Sequence, residues 1–216
     1  MPSAMPQASR LTLYTDSSPN GYKITIALAE LGLSYQLRHV RIEHGEHRQP
    51  AFLHLNPHGR IPVLVDHDTG ITVFESAAIL LYLAEKTQRL LPASPVQRWA
   101  AITWLAFHAA SMGPLLGQRV YYDIVAPDAS PGVAARFRQL CDAAFATMDG
   151  RLAECPYLAG DEYSIADIAS YGWLHIARLV GFDFSAWPHL SAWYERVAAR
   201  PAVRLGITIP APAIGA

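Results

Sequence analysis

Cysteine is scarce in this chain of 216 residues, which contains only Cys141 and Cys155. The two residues do not form a C-x-x-C motif, and both fall in a region with helical periodicity. This pattern argues against a disulfide-rich scaffold and is typical of proteins from a reducing compartment. We therefore expect a cytoplasmic protein.

Strong charge and long apolar runs are also missing. The formal net charge is -1, the isoelectric point is about 6.7, and like charges are not grouped in blocks. This composition does not favour nucleic acid or a membrane surface as partner, so we expect a small molecule or another protein. The longest nearly apolar runs, residues 77–84 and 99–110, fall short of the ~18 residues of a membrane-spanning helix. We also predict no signal peptide, because the first ten residues have no apolar core.

The nine histidines raise the question of a metal site. His44 and His47 have the spacing of metal ligands, as do His54 and His58. Asn56-Pro57 interrupts any helix between the second pair, and no cysteine or carboxylate cluster completes either set. We predict that the protein holds no metal.

The sequence does contain a well-marked β-hairpin between residues 56 and 76, NPHGRIPVLVDHDTGITVFES. Its first strand opens on Ile61-Pro62, and a proline has no backbone N–H to donate to a ladder. The backbone of Ile61 is therefore left to pair with something else, which we expect to be a peptide-like ligand. Glu75 and Ser76 directly precede an apolar helical run, where exposed amide N–H groups bind carboxylates. The alternative interpretation of these two residues is a plain helix cap.

The elements before and after this hairpin predict two domains. Residues 11–87 give the order βαβ, α, ββα, which predicts a four-stranded mixed sheet with helices on both faces. The prolines of LLPASP indicate a linker, and beyond it only helical patterns occur, including a core helix after a capping-box variant at Ser164-Ile165-Ala166-Asp167. The predicted divisions are a flexible tail at 1–9, the α/β domain at 10–87, the linker at 88–95, an all-helical domain at 96–203 and a tail at 204–216.

The motifs NPHGRIPVL, VFESAAI and YSIADIA follow one another in this order. They resemble three features of the soluble glutathione transferases: the turn before a cis-proline, the γ-glutamyl socket and the capped core helix. SSPNGYKITIALAELG, GEHRQPAF, LLGQR and Arg136 are similar to the nu-class and fungal nitrogen-regulator-like branch of that family. The resemblance covers about residues 11 to 203. It implies a thioredoxin-like first domain, a homodimer and glutathione as co-substrate.

The resemblance also assigns the parts of glutathione to residues. The cysteinyl unit is expected to pair with the main chain of Ile61, held open by a cis Ile61-Pro62 bond. The γ-glutamyl zwitterion is expected at Ser76, with its ammonium group on Glu75. His47 is expected on the glycyl carboxylate, although a solvated loop histidine is an equal alternative.

The glutathione thiol needs a partner because its pKa of about 8.5 leaves it mostly neutral at about pH 7. Lowering this pKa by two units requires about 2.7 kcal/mol, whereas a helix N-terminus gives roughly 0.3 to 1 and a hydrogen bond to the thiolate about 1.5 to 3. We predict Ser18 and Asn20 as the catalytic donors. Their alternative roles are an N-cap and a turn residue. Ser17 and Tyr14 are rival donors.

The helical domain is expected to line the pocket for the second substrate. Two arginines from this domain are expected near a bound disulfide, with Arg136 ranked above Arg119, although exposed helix arginines are usually only solvated. The residues predicted for this pocket are Met112, Leu116, Arg119, Tyr121 and Tyr122, while Arg136 is predicted on the glutathione side.

For this branch the resemblance implies glutathione-dependent disulfide reduction with some peroxidase activity. No cysteine lies near Ser18, so glutathione must bring both thiols. One alternative is a conventional transferase that conjugates glutathione to electrophiles. Another is a non-catalytic glutathione-binding regulatory protein.

Overall fold

The structure is a computed structural model that describes residues 10–127 and 130–211. The tail expected at residues 1–9 and the last five residues of the expected C-terminal tail lie outside the described residues. In the first half the elements are β1 (Leu11–Thr15), α1 (Pro19–Leu31), β2 (Gln36–His39), α2 (Pro50–Leu55), β3 (Val63–Asp66), β4 (Ile71–Phe74) and α3 (Ser76–Thr87). In the second half they are α4 (Pro95–Phe107), α5 (Gly113–Val120), α6 (Pro131–Glu154), α7 (Ile165–Leu179), α8 (Pro188–Ala198) and α9 (Pro201–Gly206).

The four strands form one mixed sheet in the order β2-β1-β3-β4. β1 runs parallel to β2 and antiparallel to β3, and β3 and β4 form the predicted hairpin. Leu13 and Leu64 lie opposite each other in the sheet and are fully buried. The predicted fold class, a thioredoxin-like sheet domain followed by a helical domain, is confirmed.

α1 begins at Pro19, directly after the residues that cap its first turn. Ser18 is the N-cap, with extended backbone, and Pro19 takes the first helical position, where its missing N–H leaves no bond unmade. Gly32 ends the helix with a φ of 68°, a left-handed conformation that glycine adopts without a steric penalty. These caps set the direction in which the helix start faces the loop after β1.

The alternating pattern of residues 35–42 predicts a strand of that length, but β2 covers only Gln36–His39. The Asp16 carboxylate accepts a hydrogen bond from the backbone N–H of Ile42 at 2.9 Å and lies 2.8 Å from His39 Nε2. These contacts tie the segment after β2 to the loop that precedes α1. The loop that follows is thereby brought to the same edge as Ser18.

The helix predicted over residues 99–112 is part of a longer one. α4 continues through a π-helical segment (His108–Met112), α5 and a second π-helical segment (Tyr121–Val125), so that residues 95–125 form one helix of 31 residues. By length and composition alone this helix is long and apolar enough to cross a membrane, which the separate apolar runs were not. A core helix of a helical domain meets the same criterion, and here the helix packs against α6 and α7.

α7 is the central helix of the second domain, as predicted. Asp167 is fully buried and completes the predicted capping box with Ser164. Its carboxylate also accepts hydrogen bonds from the backbone N–H of Leu158 at 3.0 Å and from Trp193 Nε1 at 2.8 Å. α7 packs against α1 across the two domains, and this contact positions the candidate site.

The tail predicted after residue 203 is wrong for its first residues. α9 extends to Gly206 and packs against α1, and Thr25 donates a hydrogen bond from Oγ1 to the carbonyl oxygen of Gly206 at 2.7 Å. Gly206 is buried so closely that a Cβ there would lie 2.5 Å from Ile26 Cγ1. The segment is too short to show a periodic pattern, and its partner lies far away in sequence.

Candidate active site

The start of α1 presents the two predicted thiol donors. Ser18 Oγ accepts a hydrogen bond from the backbone N–H of Gly21 at 3.0 Å, so the capping role is real. A hydroxyl that accepts one hydrogen bond still has its own hydrogen to donate. The cap therefore fixes the Ser18 side chain without removing it as a donor.

The two rival donors are engaged elsewhere. Ser17 Oγ lies 2.5 Å from the hydroxyl oxygen of Tyr22, which is on the same helix. The Tyr14 ring packs edge to face on Phe52, with 6.4 Å between the ring centroids. Neither side chain borders the cavity at the helix start, whereas Ser18 and Asn20 both do.

The Asn20 side chain is held by two donors from different parts of the fold. Its Oδ1 accepts from Lys23 Nζ at 2.7 Å and from Trp173 Nε1 on α7 at 3.2 Å. With Oδ1 occupied by both donors, the amide NH₂ group is left to donate, and the described residues offer it no acceptor. The arrangement suits an anionic partner in the cavity.

This cavity has a volume of about 250 Å³ and lies between the α1 start, the loop after β2 and the turn before β3. His47 lines it, and the buried Nδ1 of His47 has no hydrogen-bond partner among the described residues. A buried polar atom without a partner points to a ligand. The residues that line the cavity are Ser18, Asn20, Ile42, His47, Arg48, Gly59, Arg60 and Ile61.

Four of these lining residues are predicted site residues: Ser18, Asn20, His47 and Ile61. Arg48 and Arg60 were missed, although both stand inside the motifs that carried the resemblance. An arginine in a loop carries no sign of which way it points, so the sequence could not single them out. Together with His47 they make this end of the cavity basic.

The Ile61-Pro62 bond is cis, as predicted. The sheet begins only at Val63, and among the described residues no backbone group pairs with the N–H or the carbonyl of Ile61. Ile61 therefore offers main-chain groups to the cavity, which is the geometry for adding a short extended peptide beside β3.

Glu75 and Ser76 lie at the N-terminus of α3, and neither side chain caps the helix. The Glu75 backbone has a φ of 71°, an uncommon conformation for a residue with a Cβ and one that costs about 1 to 3 kcal/mol. Strain of this kind is found where a side chain must be aimed at a ligand. The plain-cap interpretation of the two residues is therefore not what the structure supports.

Lys23 was missed by the sequence analysis and lies at the centre of the site. Its side chain is 2% exposed, and its Nζ lies 2.7 Å from Asn20 Oδ1, 3.3 Å from Ser76 Oγ and 2.7 Å from His108 Nε2. Burial lowers the Lys23 pKa to about 7, partly opposed by the charge of Glu75. Burial and the Lys23 charge hold the His108 pKa well below its usual value, so the imidazole is neutral. The only sign of Lys23 in the sequence is one cation within an apolar helix.

The pocket predicted for the second substrate needs correction at three positions. Met112 and Leu116 are 1% and 0% exposed because their face of the long helix packs into the hydrophobic core. Arg119 is also turned inward within the helical domain: it pairs with Asp142 at 2.7 Å and lies over the Phe182 ring. None of these three borders the cavity at the α1 start.

The other residues predicted on the helical side stay predictions. Tyr121 is half exposed and packs edge to face on Tyr122, which stacks on Phe137. Arg136 lies exposed on α6. These residues do not line the cavity, which is bordered only by the first domain.

Neither cysteine is near this cavity. Cys141 is buried on α6, and burial raises its pKa to about 11. Cys155 follows α6, its Sγ lies 3.0 Å from the carbonyl oxygen of Tyr157, and burial raises its pKa as well. Within residues 10–127 and 130–211, no group of three or more His, Cys, Asp or Glu side chains could hold a metal ion.

Comparison with protein families gives two matches on this chain. The model of the glutathione S-transferase N-terminal domain matches residues 9–85, and that of the glutathione S-transferase C-terminal domain matches residues 128–201. The first match contains every residue that lines the cavity, and the second contains α7, which holds Asn20 through Trp173.

Individual relatives cover most of the chain. The disulfide-bond oxidoreductase YfcG of Escherichia coli is 38% identical over 197 residues, which are 89% of this chain and 92% of the relative. A glutathione transferase of Burkholderia graminis was solved with two glutathione molecules per subunit. It is 33% identical with a TM-score of 0.88, and the match covers 99% of this chain and 92% of the relative. A glutathione transferase of Pseudomonas putida was solved with one glutathione disulfide per subunit. It is 31% identical with a TM-score of 0.88, and the match covers 96% of this chain and 94% of the relative.

Proposed function

The chain belongs to the glutathione S-transferase family, and on that premise we propose that it uses glutathione to reduce disulfide bonds. The observation that carries this proposal is a thiolate-binding arrangement without an enzyme thiol. Ser18 and Asn20 face the cavity at a helix N-terminus, while both cysteines lie in the helical domain with raised pKa values. The substrate must then bring the reacting sulfur.

The proposed contacts give glutathione one orientation in the site. Its cysteinyl backbone would pair with Ile61, which places the sulfur at Ser18 and Asn20. Its γ-glutamyl end would reach the uncapped N-terminus of α3, with the carboxylate on Ser76 and the ammonium group on Glu75. The glycyl carboxylate would then lie at the basic end of the cavity, formed by His47, Arg48 and Arg60.

The reaction is a thiol–disulfide exchange in two steps. The thiolate of one glutathione attacks a substrate disulfide, which forms a mixed disulfide and releases one substrate thiolate that takes up a proton. A second glutathione thiolate attacks the mixed disulfide at the glutathione sulfur, so that glutathione disulfide forms and the second substrate thiol leaves. One relative was solved with two glutathione molecules and another with glutathione disulfide. Glutathione is the reductant of such a reaction, and glutathione disulfide is its oxidised product.

The chain's own residues lower the barrier by holding negative charge on sulfur. Ser18 and Asn20 donate to the thiolate both when it attacks and when it leaves, because the same charge is present at each end of the exchange. Since these donors are already fixed by Gly21, Lys23 and Trp173, they need not reorganise when the charge appears.

Within the family we assign the chain to the nu-class and fungal nitrogen-regulator-like branch. The strand-to-helix turn Ser18-Pro19-Asn20-Gly21 supports this assignment, as does the relative named a disulfide-bond oxidoreductase. Some glutathione peroxidase activity is expected with it, and we keep Arg136 as a residue on the glutathione side. We also propose a cytoplasmic location, which the two free cysteines support.

We also propose a homodimer. Ile71 and Phe74 on β4 and Val96 and Trp99 on α4 are large apolar side chains with 38% to 80% of their surface exposed. Two such patches on one chain are suited to an interface in which β4 of one copy meets α4 of the other. Sedimentation equilibrium of the wild type and of Trp99→Glu tests this: the wild type should be a dimer and the variant a monomer.

The experiment that tests the function compares two reactions of the purified protein. Turnover of a small dialkyl disulfide with glutathione should exceed conjugation of glutathione to an aryl halide. The reverse ratio would make it a conventional transferase. Glutathione binding with neither activity would make it a non-catalytic regulatory protein, and absence of glutathione binding would refute the proposal altogether.

A further inference from the structure

The buried amine of Lys23 contacts side chains from three elements of the fold. Lys23 is on α1, and its Nζ contacts Asn20 on the same helix, Ser76 at the start of α3 and His108 in the π-helical segment of the long helix. π-helical turns inside α-helices are frequent at functional sites. The amine thus lies directly behind two residues that face glutathione.

The contacts of the Lys23 amine decide which neighbouring atoms can act as hydrogen-bond donors. An ammonium group has three N–H donors and no acceptor, and here it has three acceptors: Asn20 Oδ1, Ser76 Oγ and His108 Nε2. Ser76 Oγ therefore receives a hydrogen bond and keeps its own hydrogen for a ligand. Asn20 Oδ1 is likewise occupied, which turns the amide NH₂ toward the cavity. The amine thus leaves Asn20 to donate to the glutathione thiolate and Ser76 to donate to the γ-glutamyl carboxylate.

α7 of the helical domain packs closely against the Lys23 side chain at a glycine. A Cβ on Gly172 of α7 would lie 2.9 Å from Lys23 Cγ and 2.5 Å from the carbonyl oxygen of Pro19. α7 can therefore cross α1 closely only with a glycine at this position. Two residues of the helical domain, Trp173 and His108, then complete the shell around Asn20 and Lys23.

We propose that Lys23 is a positioning residue that sets Asn20 as hydrogen-bond donor to the glutathione thiolate and Ser76 as donor to the γ-glutamyl carboxylate. This inference rests on the proposed glutathione site. It adds that the second domain takes part in setting the thiol chemistry, since His108 and Trp173 hold the amine and the amide in place. Lys23 itself acts through these two residues.

The charge of Lys23 also links glutathione binding to protons. The groups that face the amine are Glu75 and Ser76 at the start of α3, His108 on the long helix and Asn20 on α1, and Trp173 on α7 reaches only Asn20. Among the described residues His108 is neutral and the Glu75 carboxylate favours the charged amine, but burial outweighs it and lowers the Lys23 pKa to about 7. An anionic ligand raises the Lys23 pKa, and binding at about pH 8 should therefore take up protons at this residue.

The test uses Lys23→Met, which keeps the length of the side chain and removes its donors. The control is Lys86→Met, a change of the other lysine in the chain, whose Nζ pairs with Asp66 at 2.6 Å away from the cavity. For each protein, the ultraviolet absorbance of the bound thiolate is titrated against pH. Calorimetry in buffers of different ionisation enthalpy gives the glutathione affinity and the proton uptake.

For Lys23→Met we expect the thiolate midpoint to rise by about one pH unit, a tenfold change in the ratio of thiolate to thiol. The affinity should fall about tenfold, and binding at about pH 8 should release more protons than in the wild type, because uptake at Lys23 no longer offsets the proton that the thiol loses. Lys86→Met should match the wild type in all three measurements. If Lys23→Met does not fold, Lys23→Gln, which keeps an N–H donor without the charge, should show the same rise to a smaller extent.

An unchanged thiolate midpoint in the folded Lys23 variants would overturn the inference, whatever happens to their thermal stability. Such a result would leave Lys23 as a structural residue only. Failure of the wild type itself to bind glutathione would be a different outcome, because it would refute the proposed function before any variant is compared.

Discussion

The assignment of Asn20 as a thiolate donor leads to a measurable change in the pKa of bound glutathione. Asn20→Ala removes the amide group whose Oδ1 is held by Lys23 and Trp173. A hydrogen bond to a charged group contributes about 1.5 to 3 kcal/mol, and one pKa unit corresponds to about 1.36 kcal/mol. We therefore expect the pKa of the bound thiol to rise by about one to two units.

The effect on turnover should be smaller than the effect on ionisation. Below its pKa the thiolate fraction falls about 10- to 100-fold for a rise of one to two units. A thiolate of higher pKa is a better nucleophile, however, with a Brønsted coefficient of about 0.4 to 0.5, which recovers about 2.5- to tenfold. The net loss in disulfide turnover below neutral pH is then about 3- to 16-fold, and it should shrink as the pH rises.

The assay is a pH titration of thiolate absorbance in the glutathione complex, together with the pH–rate profile of disulfide exchange. Ser18→Ala should raise the same pKa, and it should also reduce stability by about 1 kcal/mol through loss of the cap to Gly21. Ser17→Ala is the matched control, because this neighbouring hydroxyl is paired with Tyr22 rather than turned to the cavity.

The assignment would be refuted by a particular pattern of results. If Asn20→Ala and Ser18→Ala both titrate like the wild type while Ser17→Ala raises the pKa, the donor is Ser17. If none of the three changes the pKa, the thiolate is stabilised by the helix N-terminus and by charge, and side-chain donors have no part in it.

Three further results are expected. Glu75→Gln combined with Ser76→Ala should weaken glutathione binding at least about tenfold by calorimetry with the fold intact, since the γ-glutamyl charges lose their partners; equal affinity would move the socket elsewhere. Cys141→Ser combined with Cys155→Ser should keep nearly full disulfide turnover and its dependence on glutathione, whereas a large loss in a folded protein would point to an enzyme thiol. Asp167→Ala should lower the free energy of unfolding by about 3 kcal/mol or more in urea titration, because several buried donors lose their acceptor, and a loss near zero would contradict this.

Much of the fold could be predicted because its signals are local. The cap at Ser18, the proline at position 19 and the glycine at position 32 bound α1, and the capping box at residues 164–167 starts α7. α9 was missed because six residues are too few to show a helical period, and its stability comes from the contact with α1. The short β2 was missed for a related reason, since its end is set by Asp16, a residue of another loop.

The residues of the candidate site show the same difference between local signals and contacts that are distant in sequence. Ile61, Glu75 and Ser76 could be inferred because their roles depend on backbone features that a proline and a helix start impose nearby. The inward turn of Met112 and Leu116 could not be inferred, because the sequence shows a helical period without showing which neighbour covers each face.

The sequence by itself determined where the chain turns and which segments become helix or strand, since caps, prolines and apolar spacing act within a few residues. Only the tertiary structure decided which atoms of the site are donors. Lys23 meets His108 across 85 positions, and Asn20 meets Trp173 across 153. Hydrogen bonds reach only about 3 Å, so such partners exist only once α7 and the long helix have packed beside α1.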